Sequence, residues 1–356
     1  MRTIDWIPAD DAEREPGRGF IRLVDQTLLP DSLVELDIHD LDVLVDAIQR
    51  LAVRGAPALG VAGALGVALA AQNLPADLAR QAIAELREAR PTAVNLAYGV
   101  DTALAALERG GALAALEAAL RVRDADIAAC VAMAERGTDA LTRLIPDRAA
   151  LTVLTICNTG ALAAVEHGTA LGVVAKLHRD GRLVRAIACE TRPLLQGARL
   201  TAWELGRMGA SYDVIVDSAA AITLARGGVD AVLVGADRIA ANGDTANKIG
   251  TFAVALAAAR AGVPFLVVAP ETTIDPATPN GDAIEIEDRG GAEVRFFRGV
   301  RVTPPDATAL NPAFDVTPAD LITAIVTDAR VIDVVAGDTP ASDTPAARPV
   351  AAETTE

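Results

Sequence analysis

Between Leu151 and Ala269 the chain repeats one pattern, a short apolar run, a loop and then a helix-like segment. The runs are 151–156, 183–189, 213–217, 231–236 and 265–269. Runs rich in Val, Ile and Leu and bounded by polar residues suit strands buried on both faces. Their alternation with helices is the signature of a parallel sheet with crossover helices. Ligands of such sheets collect beyond the carboxyl ends of the strands. Here the runs end, in order, on Cys157, Glu190, Asp217, Asp237 and Pro270-Glu271. One edge of the sheet therefore gathers a thiol and several carboxylates, and that edge is the expected active site.

The densest stretch is 231–250, AVLVGADRIAANGDTANKIG. Asp237 stands where the strand runs out, and Asn242-Gly243-Asp244 is a turn cluster. Thr245, Asn247 and Lys248 are predicted to lead into an Ala-rich helix over 248–261, whose free amides and positive dipole end could hold an anion beside the Lys248 charge. Taken singly, Asp237 reads as a turn cap and Lys248 as a solvated side chain; their combination makes a site. Cys157 heads Cys157-Asn158-Thr159-Gly160, before a helix predicted to begin near Ala161, and a helix N-terminus lowers a thiol pKa. A buried, inert cysteine is an equal reading on that stretch alone. Cys130, on a helix, and Cys189, in a strand, read as core. None of His39, His167 and His178 falls at a strand end, so neither a histidine base nor a His-ligated metal is expected. No GxGxxG follows the first strand and no GxxxxGK[ST] occurs, so no nucleotide cofactor is indicated. The chemistry is left to thiol and carboxylate.

The N-terminal part has another character. Ile4 to Ile7, Phe20 to Val24 and Leu33 to Ile38 are predicted strands of a small antiparallel sheet. Asp40 can cap a helix running to about Arg50, and helices are expected at roughly 58–72, 76–90, 95–109 and 124–145. Arg54-Gly55-Ala56-Pro57 forces a turn at a helix start, where Arg54 reads equally as a phosphate clamp or an ordinary surface arginine. Arg90, before Pro91-Thr92, is a second cation at a turn. The expected organisation is an α/β chain: a mainly helical N-terminal domain with a small sheet over 1–146, a Rossmann-like parallel-sheet domain over 147–336, and a disordered tail over 337–356. Edge strands are expected at 283–286 and 292–297, and a late helix from Thr317 to Asp328.

A length of 356 residues is enough for about two cores. Aromatic residues are only 3%, so the cores must be built from Ala, Val, Leu and Ile. A formal net charge of -16 argues against nucleic acid or an anionic membrane as partner, and leaves any anionic ligand to be held locally. Three cysteines without CxxC spacing argue against a disulfide framework or a thiolate zinc site, and fit a reducing cytoplasm. The N-terminus has no apolar signal region. The most apolar stretch, 56–71, is interrupted by Gly60, Gly63 and Gly66 and reads as a buried helix in close contact with its neighbours.

These residues together resemble the methylthioribose-1-phosphate isomerase family, within the larger group that includes regulatory subunits of a eukaryotic translation initiation exchange factor. The resemblance runs through Arg54-Gly55-Ala56-Pro57-Ala58, Arg90-Pro91-Thr92-Ala93-Val94-Asn95-Leu96, Cys157-Asn158-Thr159-Gly160 and the stretch from Glu190 to Thr201. It continues through Gly235 to Asp244 and Asn247-Lys248-Ile249-Gly250, and closes on Asn311 to Pro318. It implies an aldose-ketose isomerase acting on a sugar phosphate without metal or organic cofactor, and a homodimer. It further implies Asp237 as proton donor, Cys157 as second catalytic group, and Arg54, Gly55, Ala56, Arg90, Gln196, Asn247 and Lys248 as substrate-binding residues. Alternatives are an isomerase of 5-deoxyribose 1-phosphate or ribose 1,5-bisphosphate, and a non-catalytic subunit sensing a sugar phosphate or nucleotide.

Overall fold

The computed structural model describes residues 1–9, 17–90 and 94–341. Three strands, β1 (Ile4–Pro8), β2 (Gly19–Val24) and β3 (Glu35–Ile38), pair antiparallel in chain order as the alternation predicts. Helices α1 (Leu41–Gln49), α2 (Ala56–Asn73), α3 (Ala76–Arg87) and α4 (Val94–Leu144) follow. α2 is the one helix among the described residues long and apolar enough to cross a membrane, but 78% of it is buried in the core. Its glycines explain that burial: a Cβ on Gly99 of α4 would lie 1.9 Å from the Gly60 carbonyl oxygen, so the two backbones touch only where side chains are absent. Pro91, Thr92 and Ala93, where a turn after Arg90 is expected, lie outside the described residues.

The two helices expected here are both present and meet at Gly111, whose φ 74° and ψ -167° are not helical, but the second begins right after that glycine and not near 124. The second arm starts directly after that glycine because residues 112–121, mostly Ala and Leu, are strong helix formers. This arm joins two cores. Ala115, Leu116 and Ala119 pack with α2, whereas Cys130, Met133, Ala140 and Leu141 pack beneath the large sheet.

That sheet contains β4 (Leu151–Thr155), β5 (Leu183–Cys189), β6 (Tyr212–Ile215), β7 (Ala231–Val234), β10 (Phe265–Val268), β15 (Ala324–Val326) and β16 (Val331–Asp333). Its spatial order is β16-β15-β10-β7-β4-β5-β6. All pairs are parallel except β15 with β16 at one edge. Helices α5 (Ala170–Arg179), α6 (Ala202–Met208), α7 (Ala220–Ala225) and α8 (Thr251–Ala261) connect these strands. Strand order reverses between β4 and β7, so the loops after those strands splay apart and leave a crevice. Cys157 follows β4 and Asp237 follows β7.

Three local expectations are corrected. Thr245–Lys248 is not the start of a helix but β9, which pairs antiparallel with β8 (Arg238–Ala240) and with β14 (Phe314–Thr317). α8 begins only at Thr251, and the Gly250 and Phe252 amides at its start donate to the Asp315 carboxylate at 2.7 and 3.1 Å. The anion at that helix end is therefore the protein's own. The expected helix from Thr317 to Asp328 is instead the end of β14, a single 3-10 turn and β15, because Ala324-Ile325-Val326 finds a parallel partner in β10. Short apolar runs fit either period, and strand pairing decides here. Neither expected edge strand over 283–286 and 292–297 joins a larger sheet. Gly281–Ala283 is a 3-10 turn and Ala292–Arg295 a short helix, α9, before the two-residue strands β12 (Phe296–Phe297) and β13 (Val300–Arg301). β11 (Ile274–Asp275) completes the second sheet, of order β11-β8-β9-β14. Residues 337–341 of the expected disordered tail are described, with the Ala341 amide donating to the Ala241 carbonyl at 3.3 Å; 342–356 lie outside the described residues.

Candidate active site

All nine site residues expected from the sequence line one cleft over the β4–β7 crevice, although they come from five separate stretches of chain. The cleft encloses about 710 Å³ of atom-free space, some of it open to solvent. Pro57, Leu194, Pro270 and Phe314 supply its apolar walls, and Arg289 enters from the segment after β11.

The thiol side is built by the loop after β4. Cys157 is buried and sits at φ 65°, a left-handed conformation that costs a non-glycine residue about 1 to 3 kcal/mol and persists only where surroundings enforce it. Two threonines enforce it. The Cys157 amide donates to Thr191 Oγ1 at 2.8 Å, and Thr201 Oγ1 donates to the Cys157 carbonyl at 2.6 Å. The segment after this loop holds only a single 3-10 turn, Ala161–Ala163, before α5, so the expected helix N-terminus beside the thiol is absent. The Lys248 ammonium lines the same cleft, and Cys157 is among the groups that favour its charge.

The acid side is the turn between β7 and β8. The Asp237 amide donates to the Ala246 carbonyl at 2.9 Å, which fixes the turn and leaves the carboxyl to the cleft. Part of its surface is open to the cleft, but the packed protein around it outweighs that opening. Burial pushes the carboxyl above the ordinary carboxylate range, against the opposing pull of Lys248, Arg90 and Arg54. An acid held this way keeps its proton further toward neutral pH than a surface aspartate.

Cations and amides close the rest. Lys248 Nζ donates to the Ala313 carbonyl at 2.9 Å and lies 4.3 Å from the centre of the Phe314 ring. Burial pulls its ammonium below the usual lysine value, and Cys157 and Asp237 act the other way. Arg90 is pulled down by burial and faces Glu287 at 3.8 Å. Arg54 is buried, with Nε donating to Gln26 Oε1 at 3.1 Å, Nη1 to the Asn158 carbonyl at 3.1 Å and Nη2 to Asn158 Oδ1. Gly55 follows at φ 97°, and a Cβ there would lie 2.4 Å from the Ala163 carbonyl oxygen, so the RGA turn meets the loop after β4 as backbone against backbone. Asn247 donates to Thr251 Oγ1 at 3.0 Å. Gln196 Oε1 is buried without a hydrogen-bond partner, an acceptor left for a hydroxyl or amine donor in the cleft. Among the described residues no group of three or more His, Cys, Asp and Glu could hold a metal ion.

Sequence reasoning missed Arg289, which is held by Glu293 at 2.6 Å and Glu287 at 3.1 Å. It also missed Glu204, buried behind the thiol loop, and Thr191. Glu204 and Thr191 lie within or just beyond the quoted Glu190–Thr201 run, so their place in a motif-bearing segment was the available signal. Nothing near Arg289 marked it.

Comparison with known proteins matches residues 52–333 to the Initiation factor 2 subunit family. The chain is 50% identical over 320 residues to a protein of Anaeromyxobacter sp. (strain Fw109-5) named methylthioribose-1-phosphate isomerase, covering 89% of this chain and 93% of that one. Among solved structures it resembles 5-methylthioribose 1-phosphate isomerase from Pyrococcus horikoshii OT3, with TM-score 0.82, 36% identity, and coverage of 93% of this chain and 92% of that one. It also resembles a structure described as translation initiation factor eIF-2B, subunit delta, from A. fulgidus, with TM-score 0.80, 39% identity, and coverage of 94% and 96%.

Proposed function

The chain belongs to the methylthioribose-1-phosphate isomerase family, within the Initiation factor 2 subunit family, and on that premise we propose how its cleft works. It is an aldose-ketose isomerase that converts 5-methylthio-α-D-ribose 1-phosphate to 5-methylthio-D-ribulose 1-phosphate in methionine salvage. The observation that carries the site assignment is a protonatable carboxyl and a thiol on opposite sides of one strand-order reversal, with cations around them.

In this substrate the anomeric oxygen is tied to phosphate, so the ring must open without passing through a free aldehyde. Asp237, holding its proton in the buried turn, donates it to the ring oxygen, and the C1–O bond breaks. Hydrogen then moves from C2 to C1 while the C2 hydroxyl proton returns to Asp237, leaving a C2 ketone and regenerating the acid. As a base, Cys157 thiolate takes the C2 proton, forms an enediol and returns the proton at C1. In a direct hydride shift, the thiolate only stabilises developing positive charge at C1. Substrate carrying deuterium at C2 separates these routes, since exchange into solvent marks the first and full retention the second. Arg54, Arg90 and Lys248 hold the phosphate, with the Gly55 and Ala56 backbone close by, and Gln196 and Asn247 address sugar hydroxyls.

Several coarser features belong to the same reading. The strand order, counted from β4 as 3-2-1-4-5-6, supports a Rossmann-like domain over 147–336, preceded by the helical domain over 1–146. A homodimer in the cytoplasm, acting on a small sugar phosphate with no nucleic acid or membrane partner, fits the acidic charge balance and the frequency of twofold assemblies. The test is ketose formation by the purified protein alone from the methylthio, 5-deoxy and 5-phospho sugars, with Cys157→Ser and Asp237→Asn beside it. We expect the methylthio sugar to be preferred and each variant to lose at least about a hundredfold in kcat. Near-normal rates in either variant would remove that residue from the mechanism. No turnover of any sugar would favour a sensing subunit.

A further inference from the structure

The helical segment that begins at Gln196 reaches the catalytic loop from behind. Gly197–Thr201 is a π-helical turn that runs directly into α6. Its five-residue spacing returns Thr201 to the side of Gln196, and Glu204 follows three positions later. All three side chains are buried. Thr201 Oγ1 donates to the Cys157 carbonyl at 2.6 Å and accepts from Asn158 Nδ2 at 3.3 Å. Glu204 Oε1 accepts from Asn158 Nδ2 at 2.7 Å, and Oε2 accepts from the Ala161 amide at 2.7 Å. A Cβ on residue 160 would lie 2.3 Å from Glu204 Oε1, so the carboxylate reaches this loop only because Gly160 is glycine.

This arrangement fixes an otherwise reversible choice. An asparagine amide has a donor end and an acceptor end of similar shape, and its neighbours decide which way it points. Both Glu204 oxygens face N–H donors and accept from them, so Oε1 admits Nδ2 and turns Oδ1 toward Arg54; burial raises the carboxyl, and these hydrogen bonds and the Arg54 charge favour its ionised form against that. Asn158 then holds Arg54 twice, by its carbonyl at 3.1 Å and by Oδ1. With Gln26 on Nε, three of the five guanidinium N–H groups are committed and two remain for an anion in the cleft.

We propose that Glu204 is a positioning residue of the isomerase: it orients the Asn158 amide and, through it, sets the pose of Arg54 that receives the substrate phosphate. The inference rests on Arg54 as a phosphate ligand. Glu204→Gln keeps the volume but presents a donor as well as an acceptor, so the Asn158 amide loses its imposed direction. The experiment compares wild type, Glu204→Gln, Glu204→Asp and Asn158→Ala in steady-state turnover of 5-methylthioribose 1-phosphate. Inhibition by inorganic phosphate and thermal melting are measured on each.

We expect Glu204→Gln to raise both KM and the phosphate inhibition constant about tenfold or more, with a smaller change in kcat. Glu204→Asp, still acceptor-only, recovers part of that loss. Asn158→Ala gives the same signature and, if Glu204→Gln does not fold, carries the test. The double variant should lose no more than the worse single one, because both act on one path. Unchanged KM and phosphate inhibition, or a fall in kcat and melting temperature alone, would mean Glu204 serves only the fold. Wild type that turns over the sugar but ignores phosphate would overturn the Arg54 assignment, and with it this proposal, while leaving the isomerase reading intact.

Discussion

Gly55→Ala puts the most geometric weight on one atom. The backbone at residue 55 has φ 97° and ψ 136°, a region that side chains rarely adopt and that costs about 1 to 3 kcal/mol. The added methyl would also stand 2.4 Å from the Ala163 carbonyl oxygen and 2.6 Å from its Cα, and neither backbone atom can rotate away. Overpacking of that kind costs about 1 to 3 kcal/mol more, for a sum of roughly 2 to 6 kcal/mol. For 356 residues the unfolding entropy is about 0.7 kcal/mol/K, so melting should fall by roughly 3 to 8 °C. The start of α2 can relieve the clash only by moving away from the thiol loop by a fraction of an ångström to one ångström. That motion carries Arg54 with it, and misplacement of this size can cost about a hundredfold in kcat/KM. Gly181→Ala is the control, because Gly181 also has a positive φ, 69°, but nothing lies within 4 Å of its absent Cβ. It should lose only a degree or two and keep full activity. Scanning calorimetry and steady-state kinetics on both variants decide the matter. A Gly55→Ala enzyme that melts and turns over like Gly181→Ala would refute the claim that backbone contact at Ala163 holds the cleft together.

Two further predictions concern buried acids. Burial pushes the Asp126 carboxyl up to about 7, with Asp328 acting the same way and the Val165 amide opposing. Since its folded value lies above its unfolded one, the folded state binds more protons. Stability should therefore fall as pH rises from about 4 to about 7, by up to about 4 kcal/mol, and then level off. Asp126→Asn should raise melting at pH 8 by a few degrees and flatten that slope; melts unchanged from wild type between pH 5 and 8 would contradict it. Asp237 carries the same sign, so Asp237→Asn should melt at or above the wild-type temperature at pH 8 while losing turnover. A large drop in melting would show that Asp237 supports the fold and would weaken any conclusion drawn from its lost activity.

Much of this architecture was legible because strand ends are marked twice, once by the close of an apolar run and once by a change of residue chemistry. Val234 ends β7 and Asp237 lies three residues on; Thr155 ends β4 and Cys157 lies two on. The sequence also marked the RGA turn, since Gly and Pro constrain the backbone wherever they fall. It marked the buried nature of α2 through glycines that would be costly in an exposed helix.

What remained illegible depended on partners distant in sequence. Asn247 and Lys248 were placed before a helix because Ala-rich residues follow them. Yet β9 forms because β14, more than sixty residues later, offers an antiparallel edge from Phe314 to Thr317. That error had a chemical consequence: the expected phosphate site at the α8 amides is filled by Asp315, whose carboxyl is raised to about 6 by burial. The strand geometry gives Lys248 something different. Both residues line the cleft, with the Asn247 amide donating to Thr251 and Lys248 lying over the Phe314 ring. In a helix start the two would have diverged by about 100° and moved with the fraying first turn. β9 is paired on both sides, by β8 along Thr245 and Ala246 and by β14 along its whole length, so Lys248, opposite Phe314, is held on a rigid ladder where the thiol and the acid both favour its charge. A strand here therefore sets the electrostatics of the candidate catalytic pair more firmly than the expected helix could have done.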